Sequence, residues 1–155
     1  MSRHRLSLLR GYLLAAGALL LGQGAASLLA RATGRDPHAT TRLLSDPAHA
    51  TVHLVWGVVL LGVLVLPGVR VLPGVLGRRG DPAPAEWVAL GFGVFYVGLL
   101  LLGLAVHHPF GLEIDGPENA FHAVVGPAAL VVWSHAVLRR RSSTPARLAR
   151  PARVP

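Results

Sequence analysis

Four long apolar stretches, separated by short polar segments, dominate the chain. They run approximately over Gly11–Ala32, Pro47–Leu66, Glu86–His107 and Pro117–Leu138. A helix needs about 20 residues to cross the roughly 30 Å hydrocarbon core of a bilayer, and each stretch is long enough. Because backbone groups inside lipid must be hydrogen-bonded within the protein, continuous apolar runs of this length predict helices rather than barrel strands. The pattern therefore predicts four membrane-spanning helices.

Helix-start signals and composition agree with this prediction. Asp46-Pro47 and Gly116-Pro117 each place a residue that can cap a helix before a proline, which is favoured at the first helical position. Of the 155 residues, 52% are hydrophobic and 14% are charged, and the mean hydropathy is +0.53. This composition argues against a water-soluble enzyme. The chain has no Cys, so any metal or haem would be held by His and carboxylate side chains.

Arginine positions predict the orientation of the spans. All 15 basic residues are Arg, and they do not alternate with aromatic residues as in nucleic-acid-binding proteins, so no nucleic-acid partner is expected. The positive-inside rule predicts a multi-pass protein of the cell membrane with both termini on the cytoplasmic side. The loop after the first span runs against the rule, since it also carries three arginines. The arginines that support this orientation are Arg3, Arg5, Arg10, Arg70, Arg78, Arg79, Arg139, Arg140 and Arg141.

The chain also aligns with itself at an offset of 69 residues. Without a gap, 14 of the 55 positions from 16 to 70 match their counterparts, where roughly five matches would arise by chance. The alignment pairs His53 with His122 and Gly57 with Gly126. We therefore predict two duplicated helical hairpins that insert in the same orientation, related by a pseudo-twofold axis along the membrane normal.

The predicted fold is an all-α, polytopic membrane four-helix bundle made of two duplicated parallel helical hairpins. The transmembrane domain covers 1–141, with repeats of about 8–72 and 80–141, and a disordered, basic cytoplasmic tail follows over 142–155. Lipid gives helices no hydrophobic drive to associate, so small residues that let backbones approach closely are expected at the helix contacts. The candidates are Gly17, Gly22, Gly24, Gly91, Gly93, Gly98 and Gly103.

His53 and His122 are the most informative polar residues, because each lies about two turns inside the outer end of its span. An ionisable side chain at this depth is costly and usually faces the bundle interior. The first hypothesis is structural: neutral imidazoles form hydrogen bonds between helices, to groups such as Gln23 or Tyr96, and fix the helix register. The second is haem b ligation, because paired imidazoles across a bundle can bind iron and a glycine four residues later leaves space for the macrocycle.

A divalent metal site near the outer face is the third hypothesis. His49 lies one turn above His53, and Glu118 lies one turn above His122. Imidazole and carboxylate groups suit zinc, copper or iron, so these four residues are the candidate metal ligands. Their spacing does not match a stringent motif such as HExxH. Other residues expected at the same membrane surface are His38, His107, His108, Glu113 and Asp115.

Short motifs at the starts of two spans add a resemblance. They are a His-x-x-x-Gly motif in span two and an Asn-x-x-His-x-x-x-Gly motif in span four, formed by His53, Gly57, Asn119, His122 and Gly126. With the glycine-rich third span, the chain resembles, over roughly 8–138, a family of small bacterial four-span membrane proteins of unknown function, common in high-GC Gram-positive bacteria. It departs from the family pattern at Ala120, where an Asp is expected. The resemblance implies a four-helix membrane domain without known activity or established cofactor.

From these observations we expect a non-enzymatic integral membrane protein with an accessory or scaffolding role. The sequence holds no Ser/His/Asp arrangement, phosphate-binding loop or carboxylate pair inside a span. On this hypothesis there is no resident cofactor, and the partners are the lipid bilayer and either further copies of the chain or a larger membrane complex. The alternative is binding of haem b or a divalent metal by His53 and His122, in electron transfer or metal handling. A transporter subunit is a third hypothesis, disfavoured because the spans show no unwound segment.

Overall fold

The computed structural model describes residues 8–36, 46–65, 84–106, 114 and 116–142, and its regular structure in these ranges is four helices without a strand. All four helices are long and apolar enough to cross a membrane. The predicted all-α membrane bundle is confirmed, with span boundaries that differ from the predicted ones by at most four residues. The helices are α1 (Leu8–Ala32), α2 (Pro47–Val65), α3 (Pro84–Ala105) and α4 (Gly116–Ser142).

Local interactions fix the helix ends at one end of the bundle. Asp46 caps α2, since its Oδ1 accepts the backbone N–H of His49 at 2.8 Å, which satisfies one of the free amides of the first turn. After α1, Gly34 has a φ of 69°, and the N–H of Arg35 donates to the carbonyl of Ala30 at 2.8 Å. This left-handed glycine ends the helix and turns the chain.

Glycines bring the helices of each hairpin into close contact. α1 packs along α2 and α3 along α4, and both contacts are far more extensive than any contact between the hairpins. A Cβ on Gly57 would lie 2.5 Å from the backbone nitrogen of Leu21, and one on Gly126 would lie 2.9 Å from that of Val97. The predicted packing role is confirmed for Gly17, Gly24, Gly93 and Gly103. It is wrong for Gly22, Gly91 and Gly98, around which the described residues leave open space.

The two hairpins repeat their packing, but not at one offset. Gly57 contacts Leu21, whose counterpart at an offset of 69 is Leu90; yet Gly126 contacts Val97, seven residues further along α3. Four of the five buried positions of α2 have a buried counterpart in α4 at an offset of 69. Seven residues are two helical turns, so α3 keeps the same face toward its partner while being displaced along it. The expectation that equivalent residues lie at equal depth therefore fails for α1 and α3. The duplication itself stays a prediction.

Aromatic rings fill the space between the hairpins. Phe92 and Tyr96 of α3 are fully buried, with ring centroids 4.6 Å apart. Trp56 of α2 packs edge-on against Phe92 at 5.3 Å. The hydroxyl of Tyr12 on α1 donates to the carbonyl of Val125 on α4 at 2.6 Å, which connects the two hairpins directly. Glycines thus form the contacts within each hairpin, whereas large rings form the contact between them.

Several predictions concern residues outside the described ranges. These are the disordered state of the tail from residue 143, the cytoplasmic position of Arg70, Arg78 and Arg79, and the outer-face candidates His38, His107, His108, Glu113 and Asp115. For these the sequence-based expectations stand as they are.

Candidate metal centre

Three buried histidines meet near one end of the bundle. His49 and His53 lie one turn apart on α2, and His122 lies on α4, which belongs to the other hairpin. Each side chain is at most 1% exposed. One ring nitrogen of each residue lies within 4.8 Å of those of the other two. The structure therefore brings three of the four predicted metal ligands together, at the N-terminal ends of α2 and α4.

His49 forms the third corner of the cluster and lies closer to each of the other two imidazoles than they lie to each other. Its ring centroid is 4.8 Å from that of His53 and 5.4 Å from that of His122, whereas His53 and His122 are 6.5 Å apart. The sequence analysis emphasised His53 and His122 because they match in the repeat. His49 has no matching histidine in the repeat. Its spacing of four residues from His53 is the feature of the sequence that indicates that both side chains lie on one face of the helix.

Glu118, the fourth predicted ligand, contacts the cluster through His49. Its Oε2 lies 3.0 Å from Nδ1 of His49, a close ion-pair distance at which the angles do not meet those of a hydrogen bond. Glu118 is 2% exposed. The Oδ2 of Asp46 lies 4.0 Å from the same Nδ1. Two carboxylates from different helices therefore flank one edge of the His49 ring.

Aromatic side chains enclose the cluster on its inner side. The ring of Tyr96 lies 5.9 Å from that of His53 and 5.2 Å from that of His122. Phe121 lies 5.4 Å from His53. Sequence reasoning named Tyr96 only as a hydrogen-bond partner and did not identify Phe121, because an aromatic residue in an apolar span has no signal of its own.

The ring nitrogens of His53 and His122 have no hydrogen-bond partner within the described part of the chain. The same holds for the Tyr96 hydroxyl and the Gln23 side-chain oxygen, so the hydrogen bonds predicted to fix helix register do not form among these residues. Each neutral imidazole has one donor and one acceptor nitrogen. Leaving a buried polar group unsatisfied costs roughly 1–3 kcal/mol. Four unsatisfied nitrogens in two neighbouring rings therefore lower the stability of the fold. A ligand that binds these nitrogens would remove part of that loss.

The spacing suits a small metal ion. Zinc–nitrogen bonds of about 2.0–2.1 Å in a tetrahedron place ligand nitrogens about 3.3 Å apart. The three nitrogens lie within 4.8 Å of one another, so each would move inward by about 1 Å, which a small side-chain rotation provides.

Haem b does not fit the same residues. His49 is closer to His53 and to His122 than these two are to each other, so its ring stands where a macrocycle would lie. The space expected beside Gly57 and Gly126 is filled by the backbones of α1 and α3. Those glycines serve helix packing instead.

Comparison of the chain with models of protein families, with curated proteins and with solved structures finds no match. A fold alone does not determine function, since one architecture can carry many different sites. The histidine cluster is therefore the feature of this membrane protein that bears most directly on its function.

Proposed function

We propose that this membrane protein binds one divalent transition-metal ion through His49, His53 and His122, and serves metal handling in the membrane rather than catalysis. The observation that carries the proposal is the meeting of three fully buried imidazoles, whose ring nitrogens have no hydrogen-bond partners among the described residues. Neutral imidazole is the commonest protein ligand for such metals. Zinc is the first ion to test, because it accepts His and carboxylate ligands and has no strong geometric preference.

Opposing local charges act on a cation at this site. The N-terminal ends of α2 and α4 point their positive dipole ends at the site, which disfavours a cation there. The carboxylates of Glu118 and Asp46, at 3.0 Å and 4.0 Å from His49, offset this effect. Together they supply two negative charges near a divalent ion whose three closest ligands are neutral.

The test is metal binding by the full chain in detergent or lipid nanodiscs. Elemental analysis identifies the co-purified ion, and zinc titration against a chromophoric chelator gives stoichiometry and affinity. We expect one zinc per chain. Affinity should fall at least about 100-fold in His53→Ala and in His122→Ala, because each removes a ligand. His135→Ala, a histidine of α4 about three turns beyond the cluster, is the matched control and should bind like the wild type.

The proposal fails if the wild-type chain binds none of zinc, copper or iron. It also fails if His53→Ala and His122→Ala keep the wild-type affinity. An absorbance spectrum of the same sample completes the test, since a Soret band would indicate haem in place of a metal ion.

A second candidate function is structural, and one observation favours it. The ring of His53 contacts those of Phe121 and Tyr96 across the hairpin interface, so the imidazoles also contribute packing between hairpins. In this alternative the protein is a scaffolding or accessory component without a metal. It predicts that removal of the imidazoles destabilises the protein whether or not metal is present.

A further inference from the structure

We infer that Glu118 positions His49 and does not itself bind the metal, so that the protein supplies three imidazole ligands. The inference rests on the proposed function and specifies its ligand set. Its starting point is the contact between Glu118 and His49, in which Oε2 lies 3.0 Å from Nδ1. Both residues are nearly inaccessible, at 2% and 1% exposure.

An imidazole binds one metal ion through one nitrogen, while the other nitrogen points away across the ring. In His49 the Nδ1 edge faces a carboxylate, so Nε2 is the nitrogen available to the metal. A carboxylate that accepts the other ring N–H of a metal-binding histidine fixes its tautomer and orientation and makes it a stronger ligand. Glu118, from the opposite hairpin, places its carboxylate 3.0 Å from Nδ1 of His49, where a small side-chain rotation would complete that hydrogen bond.

Asp46 supports the same tautomer independently. Its Oδ2 lies 4.0 Å from Nδ1 of His49, while its Oδ1 accepts the backbone N–H of the same residue at 2.8 Å. The capping bond thus anchors a second negative charge beside Nδ1. Two carboxylates on one side of the ring favour the proton on Nδ1 and leave the lone pair on Nε2.

This arrangement defines the class of the site. Closed structural zinc sites have four protein ligands, whereas sites with three protein ligands keep a position for water or another small molecule. With Glu118 assigned to His49, the fourth position belongs to water or a small anion.

Two substitutions at Glu118 separate a positioning residue from a ligand. In Glu118→Gln the side-chain oxygen can still accept an N–H but is a poor metal ligand, whereas Glu118→Ala removes both capacities. The full chain is titrated with zinc for affinity and with cobalt for its d–d absorption bands, which report the ligands around the ion. Glu86→Gln is the control. Glu86 is also a buried carboxylate, but it lies in the first turn of α3, at the opposite end of the bundle from the cluster, and pairs with Arg140 of α4.

We expect Glu118→Ala to bind zinc about 10–100-fold more weakly, the range found for outer-shell partners, and Glu118→Gln to recover most of that loss. Cobalt bands should keep the wild-type position and intensity in both variants and in the control. The inference is overturned if the bands change in Glu118→Gln, or if this variant loses as much affinity as Glu118→Ala. If Glu118→Ala does not fold, the cobalt bands of Glu118→Gln alone decide whether Glu118 positions His49 or binds the metal. A wild-type chain that binds neither ion overturns the proposed function together with this inference.

Discussion

The imidazoles of His53 and His122 face each other across the interface between the two hairpins, with ring centroids 6.5 Å apart. His53 lies on α2 and His122 on α4, each in the N-terminal half of its helix. Both are fully buried, and neither forms a hydrogen bond to any other described residue. Because a buried polar group without a partner destabilises the fold, this pair makes the stability of the metal-free protein a sensitive test of function.

Replacing either imidazole by leucine separates the two candidate functions. In His53→Leu and His122→Leu, a buried group without a hydrogen-bond partner is exchanged for an apolar one of similar size, which is neutral or stabilising. We therefore expect the melting temperature in detergent with a chelator to stay the same or rise. If both variants melt well below the chelator-treated wild type, the imidazoles have a structural role and the second candidate function is favoured.

Zinc should stabilise the wild-type chain against heat. A ligand present at 100 times its dissociation constant stabilises the folded state by about 2.7 kcal/mol. Imidazole must be deprotonated to bind, so this gain should shrink as the pH is lowered and protons compete with the ion. Melting curves with and without zinc over a range of pH measure the gain, with His122→Ala as the control that should show a much smaller one. A gain of equal size in that variant would contradict the prediction.

Gly57 tests the packing inside the first hairpin. A Cβ at this position would meet the backbone of Leu21 at 2.5 Å, so Gly57→Ala forces α1 and α2 apart. Overpacking of this kind typically costs about 1–3 kcal/mol. Gly62 lies on the same helix with no described atom within 4 Å of such a Cβ, and Gly62→Ala should be neutral or slightly stabilising. Thermal unfolding compares the two, and equal effects would contradict the helix contact.

Substitutions of Tyr12 and Tyr96 test the hydrogen bond that connects the two hairpins. The hydroxyl of Tyr12 donates to Val125 at 2.6 Å, whereas that of Tyr96 has no partner among the described residues. Tyr12→Phe should lower stability by about 0.5–1.5 kcal/mol, and Tyr96→Phe should leave it unchanged or raise it. Chelator-treated protein is used, so that changes beside the metal site do not contribute. The reverse order of the two effects would exclude the Tyr12 bond.

The absence of Cys gives a direct test of topology. Asp36→Cys places one thiol just beyond α1, and Ser142→Cys places one at the end of α4. If both termini are cytoplasmic, a maleimide that cannot cross membranes labels Asp36→Cys in intact cells and labels Ser142→Cys only after permeabilisation. The opposite labelling pattern would show that both termini lie outside. This test matters because the arginines between α1 and α2 run against the predicted orientation.

Much of the architecture follows from sequence because its causes are local. The lengths of the apolar stretches predicted the four helices, and Asp46 caps α2 as predicted. Helical spacing put His49 one turn from His53 and Glu118 one turn from His122, so each pair shares a helix face. The candidate ligands could therefore be named without knowing how the helices meet.

The parts that sequence did not determine depend on how one helix meets another. A shift of two turns keeps a helix face almost unchanged, so the pattern could not show that Val97, rather than Leu90, lies against Gly126. The contact between Glu118 and His49 could not be predicted either, because it depends on how α2 packs beside α4. Likewise, all span glycines look alike in sequence, but Gly98 faces open space where Gly93 meets Leu130. Rotation and displacement of neighbouring helices are set by packing of the whole bundle.

Placing the cluster across both hairpins has a consequence for biosynthesis. The contacts of the first hairpin involve only α1 and α2, so this half can pack as soon as two spans have left the ribosome. His122 belongs to α4, the last of the four described helices along the chain. A nascent chain therefore lacks the complete set of three imidazoles until α4 is in the bilayer. Under the proposed function, metal capture is closed to any nascent chain that ends before α4.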